Sequence, residues 1–205
     1  MRVLKPVVFV LLTAIPLLLS SCGPSVDSAN KMVVSVRDQK MLLVKDGKPV
    51  KAYPVSTSRF GLGSRSGSNK TPLGNHVVAK KIGEGAPKGA VFKSRRQTGR
   101  IMMPNTIGRD PIVSRILWLS GRDSHNRNTY WRCVYIHGTP AEHKIGHPAS
   151  YGCIRMTSKD VIDLYRRVDE GAGVKIIRGS LDTTSAGRTY YARNGGRDRA
   201  NATRW

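Results

Sequence analysis

A histidine at the end of an apolar run and a cysteine in a glycine turn stand 16 residues apart, in Tyr135-Ile136-His137-Gly138-Thr139 and Ser150-Tyr151-Gly152-Cys153-Ile154-Arg155-Met156. A neutral thiol is a weak nucleophile, and an imidazole within reach converts it to a thiolate. Glycine beside the cysteine lets backbone N–H groups face a substrate carbonyl and stabilise a tetrahedral oxyanion. Either residue alone is ordinary, since a strand-end histidine is commonly structural and a single cysteine commonly buried filler. Together, with glycine at both turns, they point to an imidazole-activated cysteine nucleophile acting on a carbonyl.

Short β elements must position these residues. Met32 to Arg37 and Lys40 to Lys45 read as strands around an Asp38-Gln39 turn, and Asp46-Gly47 is a hairpin signal, because a type I′ turn needs positive φ. Further strands are expected over Lys51 to Ser56, Gly74 to Lys81 and Ile112 to Ser120. Trp131 to Ile136 alternates in the manner of a strand, with Cys133 as a small buried thiol upon it. Residues 59–100 hold ten Lys or Arg and one acid, Glu84, and read as two long loops around the Gly74 strand. One helix is marked by Thr157 as N-cap with Asp160 three residues on. Val161, Leu164, Tyr165 and Val168 then share a face, Gly171 and Gly173 follow, and Val174 to Arg178 reads as a closing strand.

The chain has 205 residues, 39% of them hydrophobic, with 35 Lys and Arg against 13 Asp and Glu for a net charge of +22. That is enough for one domain, and it argues against a wholly disordered chain or a multi-pass membrane protein. Met1 to Lys5 is a basic start, Val7 to Leu19 is an apolar run too short to span a bilayer, and Leu19-Ser20-Ser21-Cys22-Gly23 resembles the lipobox of bacterial lipoproteins. Residues 1–21 are accordingly expected to be a signal peptide. Cys22 would be the lipidated residue, 22–31 a tether, 32–180 the catalytic domain, and 181–205 a basic, disordered tail. The product is an exported protein, lipid-anchored on the periplasmic side of the envelope and held to the membrane through Cys22. Cys133 and Cys153 could pair in such a compartment, but pairing would consume the thiol that the chemistry needs. Nucleic acid is not an expected partner: the basic residues are spread through loops, no reader motif is present, and export removes the partner. The charge suits anionic envelope polymers or lipid headgroups.

His137-Gly138-Thr139 followed by Ser150-Tyr151-Gly152-Cys153-Ile154-Arg155-Met156 resembles the signature of YkuD-type L,D-transpeptidase catalytic domains. The likeness extends upstream through Asp38 to Gly47, Tyr53 to Ser58 and Thr71-Pro72-Leu73-Gly74, covering about Met32 to Arg178. The resemblance implies a mainly β protein, a YkuD-like β-sandwich with one or two short helices. It implies Cys153 as nucleophile, His137 as general base and the Gly138 carbonyl as the group orienting the imidazole. The backbone N–H groups of Tyr151, Gly152 and Cys153 would form the oxyanion hole. Ser150 would support the turn or the substrate, and Arg155 would pair with a substrate carboxylate or with the following helix. Many members carry histidine where this chain has Tyr151. The implied substrate is the peptidoglycan stem peptide: Cys153 attacks the carbonyl at position three, releases D-alanine, and passes the thioester to an amine on another stem. Water as acceptor would make a carboxypeptidase, a protein lysine would give anchoring, and an inactive wall-binding lipoprotein is the remaining alternative. No cofactor is implied. The spacing of His137, His143, His147 and Cys153 fits no common zinc template. His143 and His147 would line the cleft, His76 and His125 would lie on the surface, and a monomer is expected.

Overall fold

The computed structural model describes residues 26–108 and 110–202. The signal-peptide and lipidation assignments, Cys22 included, lie outside those residues. Ten strands dominate: β1 (Asn30–Ser35), β2 (Lys40–Lys45), β3 (Lys48–Pro54), β4 (Gly74–Ile82), β5 (Ala90–Lys93), β6 (Arg96–Ile101), β7 (Ile112–Gly121), β8 (Tyr135–Gly138), β9 (Ile154–Met156) and β10 (Gly173–Ile177). Helix α1 (Ser158–Arg167) precedes β10 and helix α2 (Ser185–Ala202) follows it. Among the described residues the protein is thus mainly β, as its sequence implies.

The strands hydrogen-bond in the order β3-β2-β1-β10-β4-β7, with the β5–β6 hairpin beside β4 on one flank of β7 and β8 then β9 on the other. Most pairs are antiparallel, whereas β1–β10 and β8–β9 are parallel. The chain beyond β3 returns to meet β9, where Ser56 and Arg155 exchange two backbone hydrogen bonds of 2.9 Å. The two ends of the sheet therefore join, and its layers enclose one core. Met32, Leu43, Leu117, Ile136 and Ile154, from strands far apart in the order, lie in that core with Val161 and Leu164 of α1.

Local signals account for the frame. Asp46 and Gly47 both have positive φ (48° and 73°), as a type I′ turn requires. Thr157 caps α1, its hydroxyl accepting the Asp160 N–H at 3.1 Å, and Val161, Leu164 and Tyr165 are buried.

Four expectations are corrected. The tether does not reach residue 31: Asp27 accepts the Asn30 and Asp169 N–H groups, and β1 begins at Asn30. Residues 59–100 are not only loop around one strand, since they also contain the β5–β6 hairpin. The stretch from Leu181 to Ala202 is folded rather than disordered. Leu181 is fully buried, and Ala186, Tyr190 and Tyr191 of α2 pack with it over Val33, Leu42 and Val44 on the outer face of β1 and β2. His76 is not on the surface; it is buried in β4 with its Nδ1 3.1 Å from the Gly74 carbonyl.

Candidate active site

The seam where the sheet closes carries the cysteine turn. Thr57 O accepts the Ala149 and Ser150 N–H groups at 2.9 Å, Arg59 N–H donates to Ser150 O, and Ser56 pairs with Arg155. One extended segment, residues 56–59, therefore grips the turn on both sides and forces Tyr151-Gly152-Cys153 to arch between them. Inside the arch the Ser150 hydroxyl donates to Cys153 O at 2.6 Å and accepts the Gly152 N–H at 3.2 Å. Thr71 Oγ1 donates to Gly152 O and accepts the Ser58 N–H.

β8 brings the histidine alongside. Its parallel register with β9 sets Ile136 opposite Ile154 and His137 opposite Arg155, which puts Tyr135 level with Cys153. Since successive residues alternate faces, Tyr135, His137, Cys153 and Arg155 share one face. His137 Nδ1 lies 2.8 Å from the Gly138 carbonyl oxygen, so Nδ1 carries the proton and Nε2 is the free acceptor. Gly138 has no room for a side chain: a Cβ there would stand 2.5 Å from Val113 O and 3.1 Å from Val161 Cγ1.

Both groups rest uncharged. Burial lowers His137 from its ordinary 6.5 to about 4, against the raising effect of the Gly138 carbonyl. Burial raises the Cys153 thiol from 9.0 to about 11, against the lowering effect of the Tyr135 N–H. The thiol contacts that N–H at 3.4 Å and the Cys133 carbonyl at 3.5 Å.

These shifts set a stability window. His137, and His76 with its value lowered by burial to about 4, bind protons more tightly unfolded than folded. Stability should therefore fall as pH drops from about 6.5 towards 4, by about 3 kcal/mol per histidine at about 1.4 kcal/mol per pKa unit. Cys153 has the opposite sign, so stability should fall again as pH rises from about 9 to 11. Urea midpoints measured across this range should be highest between pH 6.5 and 9. A flat profile below pH 6.5 would mean that neither histidine is held neutral by the fold.

Three sequence assignments change. Arg155 is 5% exposed. It forms an ion pair with Asp110 and donates to Ser56 Oγ at 3.3 Å, while Thr139 Oγ1 donates to the other Asp110 oxygen. Its two Nη groups are committed inside the protein and are not free for a substrate carboxylate. Ser150 is buried and committed to the turn. The Gly152 N–H already has Ser150 Oγ as its acceptor, which leaves the Tyr151 and Cys153 N–H groups to face a carbonyl oxygen. Tyr151 itself is 60% exposed, its ring beside Phe60 with the Arg59 guanidinium 4.5 Å above it.

Cys133 also departs from expectation. β8 starts at Tyr135, and Cys133 sits in the preceding turn with φ 55°, half-buried rather than enclosed on a strand. His143 turns onto Asn105, and His147 is exposed with its carbonyl on Ser56. Among the described residues no three His, Cys, Asp or Glu side chains gather as a metal site would require. Asp110 is the site residue that the sequence did not single out. Its signal is indirect, because a buried arginine needs an anion and residues 85–141 contain only two acids.

A profile of the L,D-transpeptidase catalytic domain, YkuD, matches residues 29–176, most of the described chain. The chain belongs to that family. It is 26% identical over 148 residues to the YkuD protein of Bacillus subtilis (strain 168), the match covering 72% of this chain and 65% of that one. Solved L,D-transpeptidases from Mycobacterium smegmatis and Mycobacterium tuberculosis H37Rv are also similar. Identities are 18% and 20% and TM-scores 0.48 and 0.47, and each match covers 73% of this chain and 58% of the other. The chain thus spans less than two thirds of the length of each of these relatives.

Proposed function

We propose that this chain is a peptidoglycan L,D-transpeptidase in which Cys153 is the nucleophile and His137 the base. The observation that carries the reading is the His137 Nδ1 bond to the Gly138 carbonyl, which leaves Nε2 unprotonated on the face that Cys153 shares. In the reaction the Cys153 sulfur leaves its contacts with Tyr135 N and Cys133 O for the imidazole. The thiol then gives its proton to Nε2 as sulfur attacks the stem-peptide carbonyl, and the oxyanion is held by the Tyr151 and Cys153 N–H groups. Collapse releases D-alanine, which takes the proton from His137, and leaves a thioester. An amine from a second stem attacks it, His137 accepts the amine's proton, and the C–S bond breaks to expel the Cys153 sulfur, which takes that proton back as the thiol; the energy of the cleaved amide supports the new bond. Export and a lipid anchor at Cys22 complete the proposal, since stem peptides lie outside the cytoplasmic membrane.

The test is mass spectrometry of products from the full chain incubated with disaccharide-tetrapeptide, beside Cys153→Ala. A dimer short of one D-alanine, absent from the variant, is the expected result. Tripeptide alone would assign water as the acceptor. No product dependent on Cys153 would overturn the proposal. Fractionation of Cys22→Ser checks the anchor, which fails if membrane recovery is unchanged.

A further inference from the structure

Cys133 has no part in the acyl-transfer scheme, yet it stands closer to Cys153 than its place in the sequence suggests. The Cys153 sulfur makes two polar contacts, with Tyr135 N and Cys133 O, so it already lies against the backbone of the second cysteine. Both thiols are free, both are half-buried, and both border the same apolar cluster around Phe92, Ile116 and Tyr135. The Cys133 sulfur is lightly held, with Trp131 O and Arg95 Nη1 each at 3.9 Å. Its partial exposure lets a reagent reach it. The Cys153 sulfur is held more closely, at 3.4 Å from Tyr135 N and 3.5 Å from Cys133 O. The two sulfurs are thus unequal, one positioned to react with a small oxidant and the other to resolve the product.

We propose that Cys133 and Cys153 form an oxidisable dithiol, in which Cys133 is the site of exchange with low-molecular-weight disulfides and Cys153 closes an internal disulfide. The Cys133 thiolate attacks one sulfur of R–S–S–R, the S–S bond breaks, and R–S⁻ leaves and takes a proton, giving a mixed disulfide. The Cys153 sulfur then attacks the Cys133 sulfur, gives up its proton, and expels the second R–SH. Two protein thiols are oxidised and one external disulfide is reduced to two thiols. The bond sequesters Cys153 until a dithiol reductant returns it. That consequence for activity rests on Cys153 being the nucleophile, whereas the bond itself does not.

The sequence makes the test direct. Trypsin cuts after Arg132, Lys144 and Arg155, so the two cysteines fall on separate peptides, 133–144 and 145–155. The full chain is incubated with oxidised glutathione, digested without reductant and analysed by mass spectrometry, with iodoacetamide labelling of Cys153 read in parallel. The expected result is the two peptides joined, lighter by two hydrogens than their thiol forms together. Labelling of Cys153 should fall by about tenfold or more and recover with dithiothreitol. Cys133→Ser should form no joined peptide, and a melting temperature near wild type would show that its fold is intact. Glutathione on either cysteine without a joined peptide, or no reaction at all, would overturn the dithiol. If the bond forms but turnover of stem peptide proves independent of Cys153, the dithiol stands and the transpeptidase proposal fails.

Discussion

His137→Ala should slow acylation of Cys153 by about 10²–10⁴-fold at neutral pH, and the defect should shrink as pH rises. The Cys153 thiol, raised to about 11 by burial, is ionised at pH 7 in about one molecule in 10⁴. Wild-type acylation cannot draw on a standing thiolate, so the proton must leave during attack, and His137 supplies an imidazole on that face. With its value lowered to about 4, the imidazole is already a free base across the neutral range. The wild-type rate should therefore change little between about pH 5 and 9. The variant must wait for spontaneous ionisation, and its rate should climb about tenfold per pH unit towards 11. Thioester formation followed by intact-protein mass at several pH values separates the two profiles. Equal rates at pH 7, or parallel profiles, would assign the proton to another group.

The contrast between the two cysteines shows where the sequence was readable. The histidine, the cysteine turn and the capped helix were legible because each depends on neighbours in the chain: Gly138 after His137, Ser150 closing onto Cys153, Thr157 holding the Asp160 N–H. Cys133 is not legible in the same way, because the alternation through Trp131-Arg132-Cys133-Val134 resembles a strand. The Tyr130 and Thr129 carbonyls, which accept the Cys133 and Val134 N–H groups, fold it into a turn instead. Arg155 was legible as a charge near the nucleophile but not as a buried one. Its partner, Asp110, is 45 residues away, and only the closed fold brings them together.

The β5–β6 hairpin was hidden for a different reason. β6 reads Arg-Gln-Thr-Gly-Arg-Ile and is exposed at every position, so it has no buried face to impose an alternation. Its turn uses Ser94 and Arg95 at positive φ (50° and 68°) rather than the Asn-Gly or Asp-Gly that marks such turns. Backbone pairing to β5 and the Thr98 hydroxyl, which donates to Val91 O, define it. The cover over β1 and β2, by contrast, did leave a trace. Met32-Val33-Val34 and Met41-Leu42-Leu43-Val44 are continuous apolar runs, and such runs belong to strands buried on both faces. A second layer was therefore required, although the polar, arginine-rich composition of the stretch that supplies it suggested disorder.

That second layer yields a test in which the two readings differ in sign. Gly187 lies in the first turn of α2, and a Cβ there would stand 1.8 Å from the Leu181 carbonyl oxygen. In a tail free of the sheet, Gly187→Ala would be neutral or would favour helix by about 1 kcal/mol. With α2 packed back on Leu181, the same methyl group forces the helix away from the turn that docks it, and stability should fall. Leu181→Ala should cost about 2–5 kcal/mol, because it empties a fully buried site among Val33, Leu42 and Val44. At about 2–4 °C per kcal/mol for a chain of this size, the melting temperature should drop by about 4–20 °C. Truncation after Asp182 should lower it as well, by uncovering the same three side chains from the other side. The losses from truncation and from Leu181→Ala should not add, since both act on one cluster. Melting curves that do not move for Gly187→Ala and for the truncation would mean that the outer face of β1 and β2 is covered without α2.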